Sequence, residues 1–181
     1  MQQYFVKGLA TSPVTIEDKE TSKQMFQVMR LKEEDEVTLV FDDGIKRLAR
    51  VVNVEARQLE LIEELADNVE LPVQVTIASG FPKGDKLDLV TQKATELGAQ
   101  AIWAFPADWS VVKWDGKKLA KKEDKLAKIA LGAAEQSKRN RVPEVRLFEK
   151  KGEFLSELDN FDKIFIAYEE TAKAGELATL A

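Results

Sequence analysis

The side chains with the richest chemistry in this chain fall in two short segments. One is Lys93-Ala94-Thr95-Glu96-Leu97-Gly98, the other Ala134-Glu135-Gln136-Ser137-Lys138-Arg139. On a helix, Lys93 and Glu96 are three residues apart and share a face, while Glu135 and Arg139, four apart, are spaced to pair. Gln136 can both donate and accept hydrogen bonds. Such sets grip the polar edge of a substrate, or they tie helix surfaces together as salt bridges; spacing alone fits both. The missing residue types prune harder. With no Cys and no His in the sequence, there is no disulfide, thiolate nucleophile, Cys/His zinc site, Ser-His-Asp triad or histidine base. Acid–base work falls to Asp, Glu, Lys or Tyr, and no metal site is expected.

These residues need elements to hold them. Glu36 to Phe41 (EVTLVF) reads as a strand, Asp42-Asp43-Gly44 as a hairpin turn, and Ile45 to Val54 as the returning strand. Gln58 to Ile62 is a third strand, and Glu17 to Met29 is helical, with Met25, Phe26 and Met29 as its apolar stripe. A small barrel closed by one helix uses them all. Ala66 to Pro72 breaks the pattern and is read as a linker. Beyond it the period changes. Val73 to Ser79 is a strand, and Asp85 is placed to cap a helix carrying Leu87, Val90, Ala94 and Leu97, with Gly98 as its stop. Ala101 to Phe105 is a strand, a helix spans about 119–138, 145–148 is extended, and a short helix lies near 153–158. Lys163 to Tyr168 (KIFIAY) reads as an apolar strand. This alternation predicts a mainly parallel sheet with helices on both faces.

In such sheets ligands sit at the carboxyl ends of strands, here Ser79-Gly80, Phe105-Pro106 and Tyr168-Glu169-Glu170. None of the nine glycines falls in a G-x-G or G-K-[ST] motif, which disfavours a nucleotide-phosphate enzyme. The net charge of −5 conceals an asymmetry: residues 113–151 hold 13 Lys and Arg against 6 Asp and Glu. A basic segment in an acidic protein suits contact with a polyanion, and also suits a solvated helix face. No apolar run approaches the ~20 residues of a membrane helix. The N-terminus lacks the basic start and long apolar stretch of a secretory signal, so a cytoplasmic protein is expected.

Several phrases together carry a family resemblance. Lys83-Gly84-Asp85-Lys86, followed by Gln92-Lys93-Ala94-Thr95-Glu96-Leu97-Gly98, resembles the start of the catalytic domain in the RsmE family of 16S ribosomal RNA uridine-N3 methyltransferases. Ala133-Ala134-Glu135-Gln136-Ser137-Lys138-Arg139, with Val142-Pro143 after it, is similar to that family's AAEQSxR helix. Trp109-Ser110-Val111-Val112 resembles its RSV motif, and Phe26-Gln27-Val28-Met29-Arg30 the VLR motif of its N-terminal domain.

The resemblance implies a PUA-like β-barrel over residues 1–70, then a SPOUT-type parallel α/β domain over 73–181. It implies S-adenosylmethionine as cofactor, 16S ribosomal RNA of the small subunit as substrate, and a homodimer. Carried over, Lys93, Glu96, Gln136 and Arg139 line or support the cleft facing RNA, and Arg30 helps the barrel hold the RNA backbone; Arg141, in the basic segment, is expected on RNA phosphates. Arg139 is the expected electrostatic stabiliser of the uridinate, with Glu96 orienting it, and Tyr168 and Glu169 border the cofactor. A noncatalytic ribosomal-RNA-binding module is the competing reading. The sequence departs from the family at Gln2, Gln3, Gln24 and Glu34, and Trp109 stands where the RSV motif has arginine. The family's Gly-Pro-Glu-Gly-Gly loop and Leu-Arg-x-Glu-Thr-Ala segment have no counterpart up to Ala181. The expectation is therefore a part of a longer protein, its trefoil-knot region incomplete, with weak cofactor binding and no activity by itself.

Overall fold

The structure is a computed structural model describing residues 1–167. Its first sheet has five strands in the order β1-β3-β4-β5-β2. They are β1 (Gln3–Phe5), β2 (Val14–Thr15), β3 (Glu36–Val40), β4 (Lys46–Asn53) and β5 (Gln58–Leu65). All neighbours are antiparallel except β1 and β3. The expected hairpin joins β3 to β4. Gly44 adopts φ +74°, which a residue without Cβ takes readily, and Asp43 accepts from the Ile45 amide at 2.9 Å. Register shifts at Leu48/Ala49 and Val51/Asn53 curl the sheet. Its concave face buries Val37, Leu39, Ala49, Val51 and Leu59 against Tyr4, Ile16 and Met25.

The covering helix differs from the single helix expected. Asp18 caps α1 (Lys19–Lys23) by accepting from the Thr21 amide, and the chain then widens into a π-helical turn, Gln24–Val28. Met25 is fully buried, whereas Met29 faces solvent. Arg30, at φ +54°, turns the chain out of the helix.

The second sheet is parallel, with β6 (Thr76–Gly80), β7 (Ala101–Phe105) and β8 (Glu144–Leu147) in that order. Helices α2 (Lys86–Glu96) and α3 (Gly116–Gln136) cover one face, and α4 (Lys151–Glu157) with the 3-10 turn Leu158–Asn160 covers the other. The alternation along β7 decides this. Ile102 and Ala104 point to the α2/α3 side, and Ala101, Trp103 and Phe105 to the α4 side. On that second side Phe105 stacks on Phe154 at 3.9 Å, and Trp103 meets Phe148 and Phe161 edge-on. A PUA-like half-barrel thus precedes a parallel α/β domain, with helices on both faces as the periodicity required.

Three local expectations are corrected. Leu97 is exposed, and the buried face of α2 runs through Leu87, Thr91, Ala94 and Thr95. The helix ends at Leu97, so its side chain falls outside the last turn that packs. Asp85 makes no side-chain cap, and its carbonyl instead accepts from the Asp88 amide. Residues 163–167 join no strand among the described residues, and Ile164, Phe165 and Ile166 are exposed. An apolar run takes strand form only beside an edge that completes its hydrogen bonds, and among the described residues none lies beside 163–167. Tyr168 and Glu169 lie outside the described residues.

Candidate functional site at the domain seam

The AEQSKR segment closes α3. Ser137 is the C-cap, and Lys138 follows in the left-handed conformation at φ +59°. That residue reverses the chain, and the Arg139 amide returns to the Ala134 carbonyl at 2.9 Å. The reversal aims Arg139 into the molecule rather than along the helix surface. Its residue is 3% exposed.

Inside, Arg139 has four hydrogen bonds from its guanidinium. Nε and Nη2 donate to Glu70 of the linker at 3.1 and 2.5 Å. Nη1 donates to the carbonyls of Thr95 and Ala99 at 3.2 and 2.6 Å. The Thr95 carbonyl belongs to the last turn of α2 and that of Ala99 follows it, a place where a cation is favoured by the helix dipole. Glu70 also accepts from the backbone amides of Asn140 and Arg141, at 3.0 and 3.2 Å. Burial pushes the Glu70 carboxyl up, but the Arg139 hydrogen bonds and charge and those two amides outweigh it, and the group ends below its ordinary range.

Asn140 completes the seam. It donates to the carbonyls of Gly44 and Asp67 and accepts from the Val69 amide, all between 2.9 and 3.0 Å. Gln3 of β1 donates to the Arg139 carbonyl at 2.7 Å, and the Lys138 ammonium reaches the Met1 carbonyl. The Glu135 carboxylate accepts from the Phe5 amide at 3.3 Å. Burial holds Glu135 above the usual carboxylate range, against the pull of Phe5 and Lys138. On the α2 side, a Cβ built on Gly98 would stand 2.9 Å from Leu71, so the linker lies directly on that helix end.

The structure pairs the signature residues differently from the spacing argument. Glu96 bridges to Lys93 at 3.0 Å, and Arg139 takes Glu70 in place of either Glu96 or Glu135. The AEQSKR and KATELG segments are nonetheless brought together, because Arg139 on one binds the Thr95 carbonyl within the other. Lys93, Gln136 and Arg141 are exposed, as is Arg30 at the end of the barrel's helix. Sequence reasoning missed Glu70, Asn140 and Gln3. The only signal was position: a carboxylate inside a linker, and an amide directly after a signature arginine. Among the described residues there is no cluster of acidic side chains able to hold a metal ion. Among them, too, no helix is long and apolar enough to cross a membrane.

This construction has counterparts in known proteins. Residues 17–64 match the family described as RNA methyltransferase PUA domain, and residues 69–181 the RNA methyltransferase domain family. A half-barrel fastened to a parallel α/β domain, with both matches in that order, defines the class: an RNA methyltransferase carrying an N-terminal PUA domain. The chain is 40% identical to ribosomal RNA small subunit methyltransferase E of Bacillus subtilis, over all of this chain and 73% of that protein. It is 31% identical to the enzyme of the same name from Mycobacterium bovis, over 75% of this chain and 52% of that one. The chain belongs to the ribosomal RNA small subunit methyltransferase E family. A crystal structure of the family's Neisseria gonorrhoeae protein bound to S-adenosyl methionine superposes with a TM-score of 0.72 at 26% identity, covering 81% of this chain and 62% of that one.

Proposed function

We propose that this chain serves methylation of uridine N3 in the 16S RNA of the small ribosomal subunit, in the cytoplasm, as part of a homodimer. Residues 1–70 hold the RNA and residues 73–181 belong to the methyl-transferring domain. The observation that carries the reading is the Arg139 seam. It fixes both signature segments at one end of the α/β domain and locks the barrel onto that end.

S-adenosylmethionine supplies an activated methyl group on a sulfonium. The fold suits such a ligand, because β6 and β7 end in register at Gly80 and Phe105 and release their loops side by side. Tyr168 and Glu169 are proposed to border it. The chain's own part is alignment and charge, since displacement at a sulfonium depends on how the acceptor is presented. Exposed Lys93, Gln136 and Arg141 are proposed to hold RNA, with Arg30 on its backbone. A nearby base or cation helps to form and stabilise the uridinate left when N3 loses its proton. Arg139 acts here as a positioning residue. Its buried guanidinium fixes the end of α2, and that end carries Glu96 with its paired Lys93. Glu96 orients the Lys93 ammonium as well as the helix surface facing the base.

The test joins the chain to the remaining part of the Bacillus subtilis relative. The product is incubated with S-adenosylmethionine and undermethylated small subunits, and the nucleosides are analysed by mass spectrometry. 3-Methyluridine in 16S RNA is the expected product. Methyl groups on carbon 5 or on ribose would overturn the N3 reading. Tight binding without any transfer would favour a noncatalytic RNA-binding module.

A further inference from the structure

Trp109 is 95% exposed. A tryptophan left in water forgoes its large burial energy, so its surroundings bear on why it stays there. The loop that carries it is well fastened. Ser110 Oγ accepts from the Ala107 amide at 3.1 Å, and the Ser110 amide returns to the Ala107 carbonyl at 2.9 Å. Asp108 is held by Lys151 at 2.7 Å. The turn also packs tightly on the end of β6, where a Cβ on Gly80 would stand 2.8 Å from the Ala107 Cβ. Trp114, five positions on, packs against Phe81 with ring centroids 4.5 Å apart. The loop therefore uses one indole for the core and presents the other, on a fixed turn, beside the carboxyl end of β7.

The charges that follow it in sequence bear on the partner. Lys113, Lys117, Lys118 and Lys121 are exposed and make no ion pair among the described residues. Farther along α3, by contrast, Lys125 and Lys128 are paired with Asp88 and Glu20. The nearby carboxylates are engaged, Asp108 by Lys151 and Asp115 in capping α3 through the Lys118 amide. An exposed aromatic face followed within a dozen residues by unpaired ammonium groups fits a strand that offers both flat bases and phosphates. Val111 is exposed as well, but it is the only apolar neighbour beside Trp109 in the 107–113 stretch with that exposure, too little for a protein-binding patch.

We infer that Trp109 is a stacking platform for an unpaired base of the RNA, with Lys113, Lys117, Lys118 and Lys121 on the flanking phosphates. The inference rests on the reading of the chain as acting on RNA. It adds a named contact that sets which single-stranded stretch beside the target is held.

The experiment measures binding of a short single-stranded oligouridylate, and of an RNA duplex of equal length, to the chain and to Trp109→Ala and Trp109→Phe. Trp103 is buried and Trp114 partly so, which makes fluorescence quenching report chiefly on Trp109. The parent is expected to bind the single strand with quenching. Trp109→Ala should lose about tenfold in affinity, Trp109→Phe should lose little, and duplex binding should be unchanged in both. Circular dichroism should show both variants folded, since the removed ring touches almost nothing. Equal single-strand affinity of the parent and Trp109→Ala would overturn the inference while leaving RNA binding intact. A parent that binds neither oligouridylate nor small-subunit RNA would overturn the RNA reading too. A dimer that dissociates on Trp109→Ala, with RNA affinity unchanged, would make this surface a self-interface and refute the platform.

Discussion

Replacing Glu70 by Gln removes one charge and almost no volume from the domain seam, and the cost can be worked from the geometry. Arg139 then keeps a buried guanidinium without its counter-ion. Breaking a buried ion pair by removing one partner costs about 3–5 kcal/mol. Two features reduce that figure here. The Glu70 side chain is 19% exposed, and a Gln at this position keeps an oxygen for the Asn140 and Arg141 amides. A loss of about 2–3 kcal/mol is expected, or a urea midpoint lower by roughly 1 M for a protein of this size. The assay is equilibrium unfolding followed by fluorescence and circular dichroism. The pH dependence gives a second readout. The Glu70 carboxyl is depressed in the folded state, so its contribution is fully present above the unfolded value of about 4.3 and is lost as pH falls through the folded value. Parent stability should decline on acidification in that window, and Glu70→Gln should lack this component. The double variant Glu70→Gln/Arg139→Met removes both charges and should recover part of the loss. A midpoint within about 0.3 M of the parent, with unchanged acid sensitivity, would refute the claim that this pair holds the seam.

Other outcomes follow from the same structure. Asn140→Ala deletes three hydrogen bonds that tie Gly44, Asp67 and Val69 together, and should cost about 2–3 kcal/mol in urea unfolding. Gly98→Ala meets both a φ of +100° and Leu71 at 2.9 Å; a loss of at least about 1–2 kcal/mol is expected by thermal unfolding. Glu135 is raised by burial, so its contribution is present below the unfolded glutamate value and disappears as pH rises through the folded one. Glu135→Gln should therefore flatten stability against pH above about 4.3 and be no less stable than the parent at neutral pH, as measured by urea titrations. Changing Lys117, Lys118 and Lys121 together to Ala should lower the slope of log affinity against log salt by about 0.7 for each single-strand phosphate that these lysines neutralise. An unchanged slope would return those lysines to an ordinary solvated surface.

Much of this molecule is legible from residue types in order. The Asp42-Asp43-Gly44 turn, the strand-forming β-branched and aromatic residues before it and the change of period after residue 72 require a β-rich unit followed by strands alternating with helices. The structure has the hairpin and the parallel sheet where those patterns put them. The absence of Cys and His restricts the chemistry whatever the fold. Local reasoning failed where the deciding partner is distant in sequence. Leu97 fits the helical spacing of α2, but the helix stops at that residue and its side chain points to water. Residues 163–167 have strand composition, yet composition supplies no neighbour to pair with, and among the described residues they pair with none.

Arg139 shows the boundary most clearly. Helical spacing speaks only of residues three and four apart, and so offered Glu135 as a partner, while the chemistry of the reaction suggested Glu96. Only the fold could decide for Glu70, 69 positions away. The left-handed turn at Lys138 swings the guanidinium inward, and a buried cation must take whichever carboxylate and carbonyls the packing brings within hydrogen-bond reach. Sequence thus determined which charged groups the seam has to work with. Tertiary structure decided which of them meet, because an ion pair depends on a separation of about 3 Å that no local periodicity encodes across two domains.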